Sequence, residues 1–402
     1  NNTIYNIGKI GHTFRMKSIK RKHVPVAILA AGIIFTAANF FGEKATAKIL
    51  EQTNFCLSVA VMDKTYEFHY PEIDFSEGRL YLKNAEEVVD GIYYDTLTSA
   101  VNADLECFPE REFPFVYKRE KVGLGVDKTA LLRKIERALD EKTASVSADE
   151  FVEVLPKITE AELRETTKKR GEFSTSYASS QQKRKSNIKL ASSLISFYEL
   201  DAGAEFSFNE AIGKRTEERG FTTAKVIENG KFVEGVGGGV CQVSSTVYNC
   251  ALLSGLNVTE RHRHSLAVSY VEPSFDAMVS YGYADLKFQN DTSSPVYIVT
   301  YADGNEITVR IYGEENCCRY KRISLVNQLI EPLSEEIIYT EELADGEKKA
   351  MVIPKYGIKS AGFIEVYRND KLIERRMLGT DEYSPLRGIT LVGRKRNNDF
   401  AT

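Results

Sequence analysis

The sequence predicts a multi-domain α+β protein: a mixed α/β N-terminal module, a β-rich domain in which one helix carries a cysteine, and a C-terminal all-β module. Three observations predict it. The chain has 402 residues with an ordinary apolar share, which is too long for one small core. Short β-like runs alternate with a single strongly amphipathic helical stretch through the first third. A Gly-rich turn leading into a helix is then followed by strand-like runs to the end.

The N-terminus sets the compartment. Residues 24–41, VPVAILAAGIIFTAANFF, are uncharged and mainly apolar, and as a helix they approach the thickness of a bilayer's hydrocarbon core. Lys17, Lys20, Arg21 and Lys22 precede them, and positive charge beside a first apolar segment holds that side in the cytoplasm. The expectation is a cytoplasmic N-terminus over residues 1–22, a signal-anchor over 23–42, and a single-pass cell-membrane protein with the bulk of the chain extracytoplasmic. Met16 followed by KSIKRKH also reads as a secretory n-region, and cleavage after Ala45-Thr46-Ala47 is the rival to a retained anchor.

Residues 43–155 form the first module. Runs such as LSVAVM and FPFVYKRE surround VDKTALLRKIERALDE, where Asp127 can cap and Leu131, Leu132, Ile135, Ala138 and Leu139 share one face. A polar linker runs over 143–153, with a boundary near Leu155. Residues 156–316 contain a helix at SNIKLASSLISFYEL, a hairpin at AKVIENGKFVEG, the Gly-rich turn, a helix at VSSTVYNCALLSGL, and strands at NVTERHRHSLAVSY, AMVSYGYADLKFQN, PVYIVTYA and NEITVRIYG. Residues 319–402 read as a separate all-β module.

Charge excludes one class of partner. With 53 Lys plus Arg against 57 Asp plus Glu the net charge is -4, so no global field invites nucleic acid. Six cysteines, Cys56, Cys107, Cys241, Cys250, Cys317 and Cys318, are scattered in spacing, unlike a disulfide framework or a zinc site. No metal and no cofactor is called for.

One cysteine stands apart. Gly235, Gly237, Gly238 and Gly239 precede Cys241, and a Gly-rich turn lets backbone N–H groups approach a ligand closely. Cys241 falls at the start of the following helix, whose partial positive charge favours the thiolate and can stabilise an oxyanion. Ser244 and Ser245 fall in the first turns, where they cap or hydrogen-bond. A thiol nucleophile needs a base, and His262 and His264, two residues apart on an expected strand, leave the same face while Arg261, Arg263 and Ser265 take the other. Asp276 and Asp285 follow, and either could orient an imidazole.

These residues carry a resemblance. GGGVCQVSSTVYNCALLSGL, ERHRHSLAVSY, DAMVSYGYADLKFQN and VYIVTYADGNEITVRIYG together resemble the VanW domain over about residues 185–313. The preceding module, with KVGLGVDKTALLRKIERAL, is similar to the peptidoglycan-binding domain that often stands before VanW, and the C-terminal strands look like a G-five module. The resemblance implies L,D-transpeptidase chemistry on peptidoglycan stem peptides. It implies Cys241 as nucleophile, His264 as preferred base with His262 and Asp276 beside it, and Gly237, Gly238, Gly239 and Gln242, with Ser244 and Ser245, at the substrate or oxyanion side. The competing readings are a binding module that holds a muropeptide without turnover, in the manner of a vancomycin-resistance accessory protein, and an envelope scaffold. Only the enzyme requires a thiolate.

The topology has a direct test. Protease added to intact protoplasts should digest the chain beyond Glu43, and protection of those residues would overturn the N-in orientation.

Overall fold

The computed structural model describes Lys48, Glu51 and residues 55–394 except 78 and 229–230. The apolar run at 24–41 lies outside the described residues. Among the described residues no helix is long and apolar enough to cross a membrane.

The chain divides into two compact units. Among the described residues, the first comprises those up to 104 and again 119–159, and the second comprises 105–118 and those from 160 onward. The sequence reading set its boundary near Leu155 and treated 319 onward as separate; the contacts divide the chain after Thr159 and keep the C-terminal strands with the second unit.

In the first unit, β1 (Leu57–Val61) pairs antiparallel with β2 (Lys64–Phe68) and parallel with β3 (Ser145–Ala148). The alternation in LSVAV buries Leu57, Val59 and Val61, as a period of two requires of a half-buried strand. Helices α1 (Ala85–Thr96) and α2 (Lys128–Asp140) add to this core, together with Ile73, Leu80 and Leu82. The expected face of α2 is the buried one: Leu131, Ile135, Ala138 and Leu139 are interior, with Leu132 packed at the margin. Asp127 caps it, its side chain accepting the Ala130 N–H at 2.9 Å.

The second unit is built on an antiparallel four-stranded sheet. In chain order its members are β4 (Lys168–Ser176), β5 (Phe197–Leu200), β8 (Val296–Ala302) and β9 (Glu306–Gly313), arranged spatially as β4-β9-β8-β5. Between β5 and β8 in sequence lies a hairpin of β6 (Thr223–Glu228) and β7 (Lys231–Val236). Strand alternation splits the sheet's two faces. Val296, Ile298 and Ala302 of β8 and Ile307, Val309 and Ile311 of β9 enter one large core with helices α3 (Gln182–Leu194) and α4 (Val240–Leu253). Tyr297, Val299 and Tyr312 face the other way, where Phe115 and Tyr117 cover them. That covering is why 105–118 belongs with this unit.

Two departures from the sequence reading have physical causes. SFYEL does not continue α3, because its aromatic residues form β5, which pairs with β8 along the sheet edge. The two long strands expected between 257 and 290 shrink to Asn257–Glu260 and Lys287–Gln289. Between them, side chains take over the backbone's hydrogen bonds: His264 N–H donates to Asp276 Oδ2, Ser274 N–H to Tyr383 Oη, and Ala277 N–H to Ser245 Oγ. Buried backbone groups must be paired, and here side chains replace a ladder.

The C-terminal strands β10 (Cys318–Ile330), β11 (Gly357–Arg368) and β12 (Lys371–Tyr383) form an antiparallel sheet ordered β10-β11-β12. Ile364 of β11 joins the large core, with Tyr320 and Leu378 packed against it, which ties these strands to the unit.

The cap of α2 is testable. Asp127→Ala should cost about 1 kcal/mol, read as faster amide exchange over residues 128–131, and unchanged exchange would show the cap to be idle.

Candidate functional site

The Gly-rich turn works as the start of α4. Gly239 stands at the N-cap with φ +109° and Gly237 at +86°, backbone that side-chain-bearing residues rarely adopt. Gly238 is demanded by space instead: a Cβ there would lie 2.7 Å from the Lys225 carbonyl oxygen. Asn187 of α3 straps the turn from below, its Nδ2 donating to the carbonyls of Gly238 (2.9 Å) and Thr222 (2.8 Å). These contacts set Cys241 in the first turn of α4, half-buried, at the wall of a cleft of about 880 Å³.

Three titratable side chains stand in series there. The Cys241 thiol donates to the Val279 carbonyl at 3.6 Å and interacts electrostatically with His264, and His264 Nδ1 lies 2.6 Å from Asp276 Oδ2. Because an ionised carboxylate only accepts, Nδ1 carries the proton and Nε2 is the nitrogen left for the thiol. Asp276 is 1% exposed and fully engaged: Oδ2 also takes the His264 N–H at 2.7 Å, while Oδ1 accepts from Arg261 Nη2 at 2.7 Å and Tyr383 Oη at 2.6 Å.

The electrostatics follow from these contacts. Burial would raise the Cys241 thiol, but the hydrogen bond from His264 and its charge, with help from Arg215, bring it below the ordinary thiol value. For His264 burial works downward, yet the bonds to Asp276 and Cys241 carry it up to about 9. Asp276 would likewise be raised by burial; the bond from His264 and the charge of Arg261 hold it at about 2. An imidazolium backed by a carboxylate favours the thiolate relative to an isolated thiol, the arrangement that activates a sulfur nucleophile.

Not every predicted residue arrives at the site. His262 turns away, 41% exposed at its side chain and bonded to Glu260 at 2.9 Å, because 261–264 is not strand and the shared-face expectation fails. For the same reason Arg261, expected on the opposite face, meets the same carboxylate as His264. Asp285 is occupied elsewhere, accepting from Ser207 Oγ and the Asn209 N–H. Gln242 is 1% exposed and acts as a strut, donating to Thr175 Oγ1 and Ser176 O and accepting from Arg184. Ser244 and Ser245 are fully buried and are not caps: Ser244 Oγ donates to Ala277 O at 2.6 Å and Ser245 Oγ accepts the Ala277 N–H, lashing α4 to the Asp276 segment. Neither is open to a substrate.

Several contributors were invisible to motif reading. Tyr383 and Asp381 come from β12, more than a hundred residues away, with Asp381 bonding Arg261 Nη1 at 2.7 Å. Arg184 and Arg215 line the cleft from α3 and from the segment before β6. All six cysteines are free thiols. Away from this site, hairpin pairing in the first unit brings ligand atoms of Cys56, Glu67 and His69 within 4.8 Å of one another, a grouping that no sequence spacing advertises. Burial pushes that thiol up to about 11, against metal binding as thiolate.

Residues 183–312 match the family model described as VanW like protein. The chain is 29% identical over 246 residues to YoaR of Bacillus subtilis (strain 168), covering 61% of this chain and 77% of that protein. It is 27% identical over 135 residues to the vancomycin B-type resistance protein VanW of Enterococcus faecalis (strain ATCC 700802 / V583), covering 32% of this chain and 49% of that protein. A solved IgA1 protease G5 domain aligns with 20% of this chain and 92% of its own, at 20% identity and a TM-score of 0.15.

The ion pair makes its own prediction. Iodoacetamide should alkylate Cys241 below the pH at which ordinary thiols react, and Asp276→Asn should move that profile upward; superimposable profiles would remove Asp276 from the relay. The linked stability has opposite edges. The share from His264 is full below 6.5 and is lost as pH rises through about 9, whereas the share from Asp276 is full above 3.8 and is lost as pH falls through about 2.

Proposed function

From the VanW-like domain at residues 183–312, we propose a cell-envelope protein related to vancomycin resistance, whose Cys241 performs L,D-transpeptidase-type acyl transfer on peptidoglycan stem peptides. The observation that carries this reading is the Cys241–His264–Asp276 series beside an open cleft.

The chemistry balances with these residues alone. The Cys241 thiolate attacks the carbonyl of the donor's penultimate residue, and the partial positive charge at the start of α4 favours the developing oxyanion. The C–N bond to the terminal residue breaks as His264 gives its proton to the leaving amine, which departs as a free amino acid. An acceptor amine then attacks the thioester, His264 takes its proton, and a new peptide bond forms as the thiolate leaves. Asp276 stays ionised throughout and keeps the ring oriented. Exchange of one peptide bond for another needs no external energy source, which suits chemistry outside the cytoplasm.

Purified protein should gain the mass of a thioester with a tetrapeptide donor, and a carbapenem should acylate Cys241. Cys241→Ala should abolish both, and His264→Ala should slow acylation by about 10²–10⁴-fold. His262→Ala should do far less, since its ring points away. Binding of muropeptide with no acyl-enzyme from any donor would replace this reading with that of a binding module.

A further inference from the structure

The cleft beside Cys241 is one-signed. Its wall includes Arg184, Lys214, Arg215, Lys225 and Lys355, and among the described residues no aspartate or glutamate lines it. This is a local reversal, because acidic residues outnumber basic ones across the chain as a whole. Lys214, Lys225 and Lys355 stand exposed at the rim, whereas Arg184 and Arg215 lie deeper.

The two arginines lack the partners that buried guanidiniums usually have. Among the described residues neither forms an ion pair: Arg184 donates to Ser180 Oγ and Gln242 Oε1, both at 2.7 Å, and Arg215 Nη1 to Asn209 Oδ1 at 2.7 Å. Arg215 Nη2 is buried with no acceptor at all. A buried N–H left unpaired is costly, and a guanidinium is shaped to receive a carboxylate. Both arginines line the same cleft as Cys241 and interact with its charge.

We propose that this cleft is a carboxylate-recognition site, in which Arg215, flanked by Arg184 and ringed by the rim lysines, draws in a free carboxylate of the molecule that meets Cys241. The proposal rests on Cys241 as the reactive thiol and deepens the acyl-transfer reading by assigning the donor's charge. In a peptide donor the carboxylate is either the terminal one or one on a side chain. A modest shift of Arg215 exposes Nη2 to it, replacing an unpaired donor with a charge-assisted hydrogen bond.

The test separates this from the acyl-transfer reading by using two alkylating agents of similar size. Rates of Cys241 modification by anionic iodoacetate and neutral iodoacetamide are measured on the full chain by peptide mass mapping, and their ratio is compared with that for 2-mercaptoethanol. The ratio cancels changes in thiolate fraction. At low salt it should exceed the small-thiol ratio by about tenfold or more, as a focused field of one sign produces, and should fall as salt is added. Arg215→Gln should remove most of the excess. If circular dichroism shows that variant unfolded, the exposed pair Lys214→Gln/Lys225→Gln should still lower the ratio. A ratio equal to that of 2-mercaptoethanol, or one that both variants leave unchanged, overturns the proposal whatever the peptide assays show. Conversely, a raised ratio without any thioester from a tetrapeptide would sink acyl transfer and leave the carboxylate site standing. With a reactive tetrapeptide, amidating the terminal or the side-chain carboxylate identifies the one recognised by the slower acylation, and equal rates for both amides and the free acid overturn the proposal.

Discussion

The carboxylate of Asp276 is the point on which the rest of this site depends. A buried charge persists only when its lone pairs are met, and here four donors from three residues meet them: the ring and backbone of His264, Arg261, and Tyr383. Each donor is positioned by accepting that role. The irregular segment from 261 to 280 forgoes a strand ladder because Asp276, Ser245 and Tyr383 satisfy its backbone, so the same interactions that shape the loop also orient the imidazole. Fold and chemistry are one network here.

That network reaches into the C-terminal strands. Tyr383 closes the Asp276 shell and Asp381 neutralises the other face of Arg261, leaving the guanidinium between two carboxylates. Ser360 of β11 adds a buried contact to Ser274 at 2.8 Å. The strands from 318 onward are thus part of what holds the carboxylate in place. Removing one partner from such a buried set leaves an uncompensated charge, which is costlier than losing a surface pair.

The opposite wall of the cleft is governed by charge of the other sign. The Asp276 side is neutralised internally, whereas among the described residues Arg184 and Arg215 have hydrogen bonds but form no ion pair. The site is therefore polarised, with a paired carboxylate behind the imidazole and two guanidiniums without ion-pair partners lining the cleft that Cys241 lines. A thiolate is favoured by both features.

Local signals were sufficient where chemistry and geometry depend on near neighbours. The amphipathic face of α2 and its Asp127 cap, the hairpin at 223–236, and the Gly turn that sets Cys241 at the start of α4 were all legible, because helix periodicity, turn residues and positive-φ glycines act within a few residues. His264 and Asp276 were singled out by the family resemblance, whereas strand alternation alone did not separate them from His262 and Asp285. That choice is tertiary. Strand alternation put both histidines on one face, but side chains replaced the ladder, the strand never formed, and one ring was buried against Asp276 while the other turned to Glu260. The same limit hid Tyr383, Asp381 and the cationic wall. Hydrogen bonds and fields depend on distance in space, and residues more than a hundred positions apart become neighbours only when the sheet and helices have closed around them.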